Sequence, residues 1–306
     1  MNLGYNKFLF ILPFDHRGTF IKGMFNKEEK DLTQEIEEEV RALKKIVYEG
    51  FKRAVLKSVP KEFAAILVDE QFGDGILKDA RENGYITILA TEKSGQKEFE
   101  LEYGEDFGQH IEKYSPTFVK VLVRFNPDDE KPGKERQKAK LKKLSDYSHE
   151  KDYKFMAEIL IGPTDEQLLR YQGDKNRFDR EERPSLAVRV MEEFQDFGIE
   201  PDVWKMEGME SSQDYEKLCE TAKRKEREDV GVVILGRAAE KDQVERWIGV
   251  GAGVSGVIGF AVGRTVFWEA LSDFINGKIS EEQAAGKISD NYIYYYNLFK
   301  SYRGTL

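Results

Sequence analysis

Short apolar runs recur along this chain, and most are followed by a polar turn and a stretch with helical spacing. The runs fall at residues 8–13, 64–68, 86–90, 117–123, 155–160, 202–206, 231–235 and 256–260. They are nearly continuous rather than alternating, which predicts strands covered on both faces. Helical spacing follows at 32–56, 134–148, 184–197, 212–225, 241–250 and 264–276. Eight strand–helix repeats predict an α/β fold, a closed (β/α)8 barrel, with an open doubly wound sheet as the competing arrangement. Against the open sheet, the first run leads into Asp15-His16-Arg17-Gly18 and lacks the glycine spacing of a dinucleotide turn.

Two segments stand outside the repeat. Residues 172–184 are rich in Asp, Arg and Glu and read as a long loop after the fifth strand, over the barrel mouth. Residues 280–302 carry Tyr292, Tyr294, Tyr295, Tyr296 and Phe299 and predict one extra terminal helix. Its aromatics are expected to pack on the barrel or on a second copy of the chain. The charge run 128–143 reads as a loop feeding a solvated helix.

Composition narrows the setting. A length of 306 residues suits one undivided barrel domain spanning 1–306, since such barrels need roughly 250 residues or more. The 40% hydrophobic content supplies a core, and 34% charged residues imply a heavily charged outer surface. A net charge of −9 with pI near 5.2 argues against a nucleic-acid or anionic-membrane partner. The single cysteine, Cys219, cannot form an internal disulfide and sits at a helical packing position, which predicts a cytoplasmic protein. The apolar runs 8–14 and 248–262 are too short or too glycine-rich for a membrane span.

The chemistry lies in charges on the predicted strands. Lys205 interrupts Asp202-Val203-Trp204-Lys205-Met206-Glu207, Lys120 interrupts Thr117-Phe118-Val119-Lys120-Val121, and Glu158 interrupts Phe155-Met156-Ala157-Glu158-Ile159. A buried lysine tends to lose its proton, and a neutral amine is what Schiff-base chemistry requires. The bland alternative is a lysine whose stem reaches water from a strand end. Barrel active sites lie at the carboxyl ends of the strands. This sequence puts Asp15-His16-Arg17, Asp69-Glu70, Glu92-Lys93, Lys120 with Arg124, Glu158, Lys205 with Glu207, Arg237, and Gly263-Arg264 there. One histidine in that ring argues against a His-rich metal site and no cofactor is expected, while magnesium on Asp69 and Glu70 stays open. After the seventh and eighth strands come Gly236-Arg237 and Gly259-Phe260-Ala261-Val262-Gly263-Arg264. Glycines and arginines at these two strand ends fit phosphate binding, or tight turns and barrel packing.

Several separated motifs occur in order: Leu12-Pro13-Phe14-Asp15-His16-Arg17-Gly18, Val68-Asp69-Glu70-Gln71-Phe72-Gly73, Leu122-Val123-Arg124-Phe125-Asn126-Pro127-Asp128-Asp129, Trp204-Lys205-Met206-Glu207 and Ile258-Gly259-Phe260-Ala261-Val262-Gly263-Arg264-Thr265. Together they resemble the 2-deoxy-5-keto-gluconate 6-phosphate aldolase domain of inositol catabolism, a family similar to class I tagatose-bisphosphate aldolases. The resemblance covers nearly the whole chain. It implies that Lys205 forms the Schiff base, with Lys120, Glu158 and Asp15 as its catalytic partners. It implies a phosphorylated keto sugar or keto acid as substrate, such as 6-phospho-5-dehydro-2-deoxygluconate, cleaved to dihydroxyacetone phosphate and an aldehyde. Members commonly carry a sugar kinase domain ahead of the aldolase, and this sequence starts at the first predicted strand, which implies a stand-alone aldolase.

On this reading Lys120 lowers the amine pKa of Lys205 and steadies oxyanions, Glu158 is tuned upward by burial to transfer protons, and Asp15 orients Lys205 or a hydroxyl. Arg17, Gly236, Arg237, Gly259, Gly263 and Arg264 are the expected phosphate binders. A metal-assisted aldolase or isomerase, and a non-catalytic phosphosugar-binding protein, are the alternatives on the same barrel.

Overall fold

The computed structural model describes residues 3–237 and 239–304. Its strands are β1 (Leu9–Pro13), β2 (Ala64–Asp69), β3 (Ile86–Ala90), β4 (Phe118–Arg124), β5 (Lys154–Leu160), β6 (Val203–Glu207), β7 (Gly231–Leu235) and β8 (Val257–Ala261). Each begins and ends within one residue of the apolar run that predicts it. All pair in parallel with their neighbours in chain order, and β8 returns to β1, so the sheet is a closed barrel.

Helices cover its outside. After β1 come α1 (Gly18–Phe25) and α2 (Gln34–Lys57), then α3 (Glu70–Glu82) after β2, α4 (Phe107–Tyr114) after β3 and α5 (Lys131–Glu150) after β4. Three helices follow β5: α6 (Asp165–Arg170), α7 (Lys175–Glu181) and α8 (Arg183–Phe197). The rest are α9 (Ser212–Lys223), α10 (Lys241–Ala252), α11 (Arg264–Ile275) and α12 (Glu281–Arg303). Among the described residues no helix is long and apolar enough to cross a membrane.

Residues 172–184 correct the sequence reading, because most of that charged stretch is helical. Asp174 caps α7 by accepting from the Arg177 N–H, Arg177 and Glu181 pair one turn apart, and Phe178 is fully buried. The charges that read as a loop are a solvated helix face held down by one aromatic. The terminal helix α12 starts in a Ser280–Gln283 capping box and lays Tyr292, Tyr295, Tyr296 and Phe299 on the barrel. The Tyr292 hydroxyl donates to the Phe10 carbonyl at 2.6 Å across the β1–β8 region. Cys219 is buried inside α9, where desolvation pushes its thiol up to about 12 and leaves it a packing group.

Inside the barrel, side chains alternate with period two. Leu9, Ile11, Ala65, Leu67, Ile88, Phe118, Met156, Val203 and Val233 form an inner apolar cluster separate from the strand–helix layer. Two residues beyond Phe118, Met156 and Val203 on the same strands come Lys120, Glu158 and Lys205. The apolar plug thus ends in a charged layer facing the carboxyl end. Register reinforces it, since Glu158 sits directly beside Lys205.

The β8–β1 seam depends on missing side chains. A Cβ on Gly259 would lie 1.9 Å from the Leu9 carbonyl oxygen, and one on Gly263 would lie 2.2 Å from that of Pro13. Backbone cannot yield there without opening the barrel. On Gly236 a Cβ would come no nearer than 3.5 Å to Val262, an ordinary contact. Gly259→Ala and Gly263→Ala should each cost about 3 kcal/mol or more of stability, and Gly236→Ala no more than about 1 kcal/mol, in urea unfolding. Equal losses at all three positions would overturn this account of the seam.

Candidate active site

The charged layer is one connected cluster. Lys120 Nζ lies 2.9 Å from Asp15 Oδ2, 2.7 Å from Glu92 Oε1 and 2.9 Å from Glu158 Oε2. The same Glu158 oxygen lies 2.8 Å from Lys205 Nζ. Lys120 is fully buried and Lys205 only 2% exposed. Glu158, Lys205, Asp15 and Glu92 line a cavity of about 360 Å³ at the barrel mouth, whereas Lys120 lies behind its wall.

Charge follows from this arrangement. Burial alone would strip Lys120 of its proton, but Asp15, Glu158 and Glu92 outweigh it and raise its pKa well above the usual lysine range. Burial likewise opposes ionisation of Asp15, yet Lys120 and Lys205 hold its carboxyl well below the usual range. Glu158 is also held low, against its desolvation, by Lys120 and Lys205. That corrects the expectation of an upward-tuned glutamate, because two ammonium groups on one carboxylate overcome burial. Glu158 is therefore held as an ionised carboxylate between two lysines.

Around the mouth the arginines differ in what they hold. Arg17 is buried, 2.7 Å from Glu102 and also donating to the Glu92 carbonyl. Arg237 sits with φ +50° and is bound by Asp179 and Glu207, each at 2.5 Å. Arg264, the first residue of α11, has a buried Nε without a hydrogen-bond partner and no carboxylate within ion-pair distance among the described residues. Its guanidinium stacks over Trp268, 5.3 Å from the ring centre. The N-cap Gly263 offers no side chain to the first N–H groups of α11, and its carbonyl accepts from the Val266 N–H, which leaves those of Arg264 and Thr265 open among the described residues. Gly236 lines the cavity, but Gly259 lies within β8 beside Leu9 and does not, its missing side chain serving the seam.

Two site groups escaped the sequence reading. Glu92 was visible only as one charge in the strand-end ring, and its contact with Lys120 is 28 residues distant in the chain. Glu102 gave no signal, because it returns to the site through an antiparallel bridge between Glu92 and Leu101. Asp69 and Glu70, by contrast, do not converge on a shared ligand position. Asp69 is buried against Lys44 and caps α3, while Glu70 holds His110 at 2.7 Å and Lys113 at 2.9 Å.

Removing Lys120 should reveal this balance. Asp15 and Glu158, held low, add stability that is full above pH of about 4 and is lost as pH falls through their folded values. Lys120→Met leaves those carboxylates clustered without their main cation, so it should cost about 3–5 kcal/mol at pH 7. Below about pH 4 the unaltered chain loses that stability and the variant has none of it to lose, so the gap between them should narrow as pH drops. A gap constant from pH 8 to pH 3 in urea titrations would refute the electrostatic origin.

A protein-family profile described as "Uncharacterized protein conserved in bacteria (DUF2090)" matches residues 4–303, so the chain belongs to that family. No curated protein matches the sequence. Among solved structures, a fructose-bisphosphate aldolase of Plasmodium falciparum is 13% identical with TM-score 0.63, over 99% of this chain and 92% of that one. A protein of Corynebacterium glutamicum is 15% identical with TM-score 0.60, over 98% of this chain and 88% of its own. A fructose-bisphosphate aldolase of Slackia heliotrinireducens is 12% identical with TM-score 0.54, over 92% and 86%. At these identities the likeness is one of fold.

Proposed function

We propose that this member of the DUF2090 family is a class I aldolase that cleaves a phosphorylated keto sugar or keto acid through a Schiff base on Lys205. One observation carries the reading. Of two buried lysines joined by Glu158, Lys205 opens on the cavity with one carboxylate, while Lys120 is sealed behind it with three. Lys120 is thereby kept charged and out of reach. Glu158, 2.8 Å away, is the carboxylate placed to take a proton from Lys205 as it becomes a nucleophile.

The remaining roles follow from the contacts. Lys205 Nζ attacks the substrate ketone; Glu158 takes the amine proton and returns it to the departing hydroxyl, which leaves as water. The resulting iminium withdraws the electron pair of the adjacent carbon–carbon bond. Lys120 stays charged throughout and fixes Asp15, Glu92 and Glu158 around the reacting carbons. Arg264, Gly263 and the start of α11 take the phosphate, with Gly236 allowing close approach and Arg17 and Arg237 bracing the loops beside it. The barrel shared with two fructose-bisphosphate aldolases is compatible with this chemistry, and the ordered motifs favour a substrate of the 6-phospho-5-dehydro-2-deoxygluconate type.

Dihydroxyacetone phosphate with borohydride should leave a stable adduct whose mass maps to Lys205, and Lys205→Met should abolish both adduct and cleavage. An adduct on Lys120, or none with any ketose phosphate tried, would sink the assignment.

Arg264→Ala should weaken a phosphorylated ligand by about tenfold to a hundredfold, since a hydrogen bond to a charged group is worth roughly 1.5–3 kcal/mol. The unphosphorylated analogue should bind nearly as before in calorimetry. Equal losses for both would mean that Arg264 supports the barrel.

A further inference from the structure

The chain has three histidines, and two of them are tied to carboxylates. His110 meets Glu70 at 2.7 Å and stacks on Tyr103, and His149 meets Asp202 at 3.0 Å. His16 differs. It follows Asp15 directly, lines the same cavity as Lys205, and packs edge-on against Phe267 of α11 at 6.4 Å. Its buried Nδ1 has no hydrogen-bond partner. Among the described residues nothing therefore fixes its tautomer, so either ring nitrogen can carry the proton.

The carboxylates nearby are not free in that sense. Asp15, Glu92 and Glu158 each hold Lys120, and Glu158 also holds Lys205. Pulling one of them away to serve the substrate would uncover a buried ammonium, which is costly. The Schiff-base reading of Lys205 requires a second proton transfer that Glu158 is badly placed to perform. The carbon–carbon bond breaks only if the neighbouring hydroxyl loses its proton, and the enamine left on Lys205 must then gain one at carbon.

Resting on that reading of Lys205, we propose that His16 performs this transfer: its neutral imidazole takes the hydroxyl proton as the bond breaks and gives it to the enamine carbon. The bond's electron pair moves into the iminium, the aldehyde leaves, the imidazolium protonates the carbon, and water then releases the ketone from Lys205. No other reactant is needed. Burial holds His16 at about 4, with Arg264 and Lys205 lowering it and Asp15 and Glu158 raising it, so it is neutral at physiological pH. A phosphate on Arg264 offsets one of the lowering charges, which strengthens the base when substrate is bound.

The test incubates dihydroxyacetone phosphate with the full chain in deuterium oxide and follows exchange at the carbon beside the ketone by proton NMR. Borohydride trapping on Lys205 is measured in parallel. His16→Asn, and His16→Gln as a second variant, should still be trapped on Lys205. Both should lose exchange and cleavage by about 10²–10⁴-fold, the usual worth of a general acid–base group. Added imidazole should partly restore exchange in His16→Ala. Unchanged exchange in the variants would overturn the role, as would loss of trapping in step with exchange, which marks a structural histidine. Absence of trapping in the unaltered chain would instead overturn the Lys205 reading, and the role of His16 with it.

Discussion

The barrel mouth is organised by one oxygen atom. Glu158 Oε2 lies within 2.9 Å of Lys120 Nζ and 2.8 Å of Lys205 Nζ, tying β4, β5 and β6 together through charge. Removing each ion from water costs several kcal/mol, so such a cluster persists only when its members neutralise one another. Lys120 and Lys205 offset most of the charge on Asp15, Glu92 and Glu158, and Arg17, held against the Glu92 carbonyl, adds positive charge beside them. The demand then spreads outward. Glu92 must be held on Lys120, so the segment after β3 doubles back, and Arg17 grips both the Glu92 carbonyl and Glu102 to keep it there. The segment after β3 that lines the cavity is thus fixed by the needs of a lysine buried behind the cavity wall.

A second buried pair shows why strand-end carboxylates must be sorted before they are read as ligands. Asp69 ends β2 in the same relative place that Asp15 follows β1, yet it engages Lys44 from α2, with both side chains essentially sealed from solvent. Lys44 also lies 5.0 Å from the Phe72 ring centre, in an apolar setting between helices and sheet. Asp69 caps α3 with its other oxygen. It anchors a helix pair, whereas Asp15 faces the cavity.

How much of this was legible in the sequence depends on the range of the interaction. Strands buried on both faces must be apolar almost throughout, so eight runs announced the barrel, and a lysine within such a run announced itself by breaking it. Lys120, Glu158 and Lys205 were found for that reason, and their common layer follows from two-residue spacing above Phe118, Met156 and Val203. Partners supplied by loops left no such trace: Glu102 is an ordinary acidic residue until the antiparallel bridge beside it forms. Glycine was ambiguous for a different cause. Gly236, Gly259 and Gly263 look alike as letters, but only the last two face a neighbouring backbone too closely for any side chain. The helix α7 was missed because its charges satisfy one another along the surface and a single residue, Phe178, carries its attachment.

Net charge and local charge point in opposite directions, and the local field decides what enters. The chain carries −9 overall, enough to repel polyanions whose charges span a whole face. A small anion samples a shorter distance, because salt screens charges beyond roughly 8–10 Å. Within that radius of the cavity the cluster charges largely cancel, and Arg264 is left as a guanidinium with no carboxylate in ion-pair distance among the described residues. The start of α11 adds its partial positive charge at the same point. On the proposed function, this local field is what would receive a compact phosphate. Its charge would be received by Arg264 and the start of α11, which are outside the ion pairs of the buried cluster.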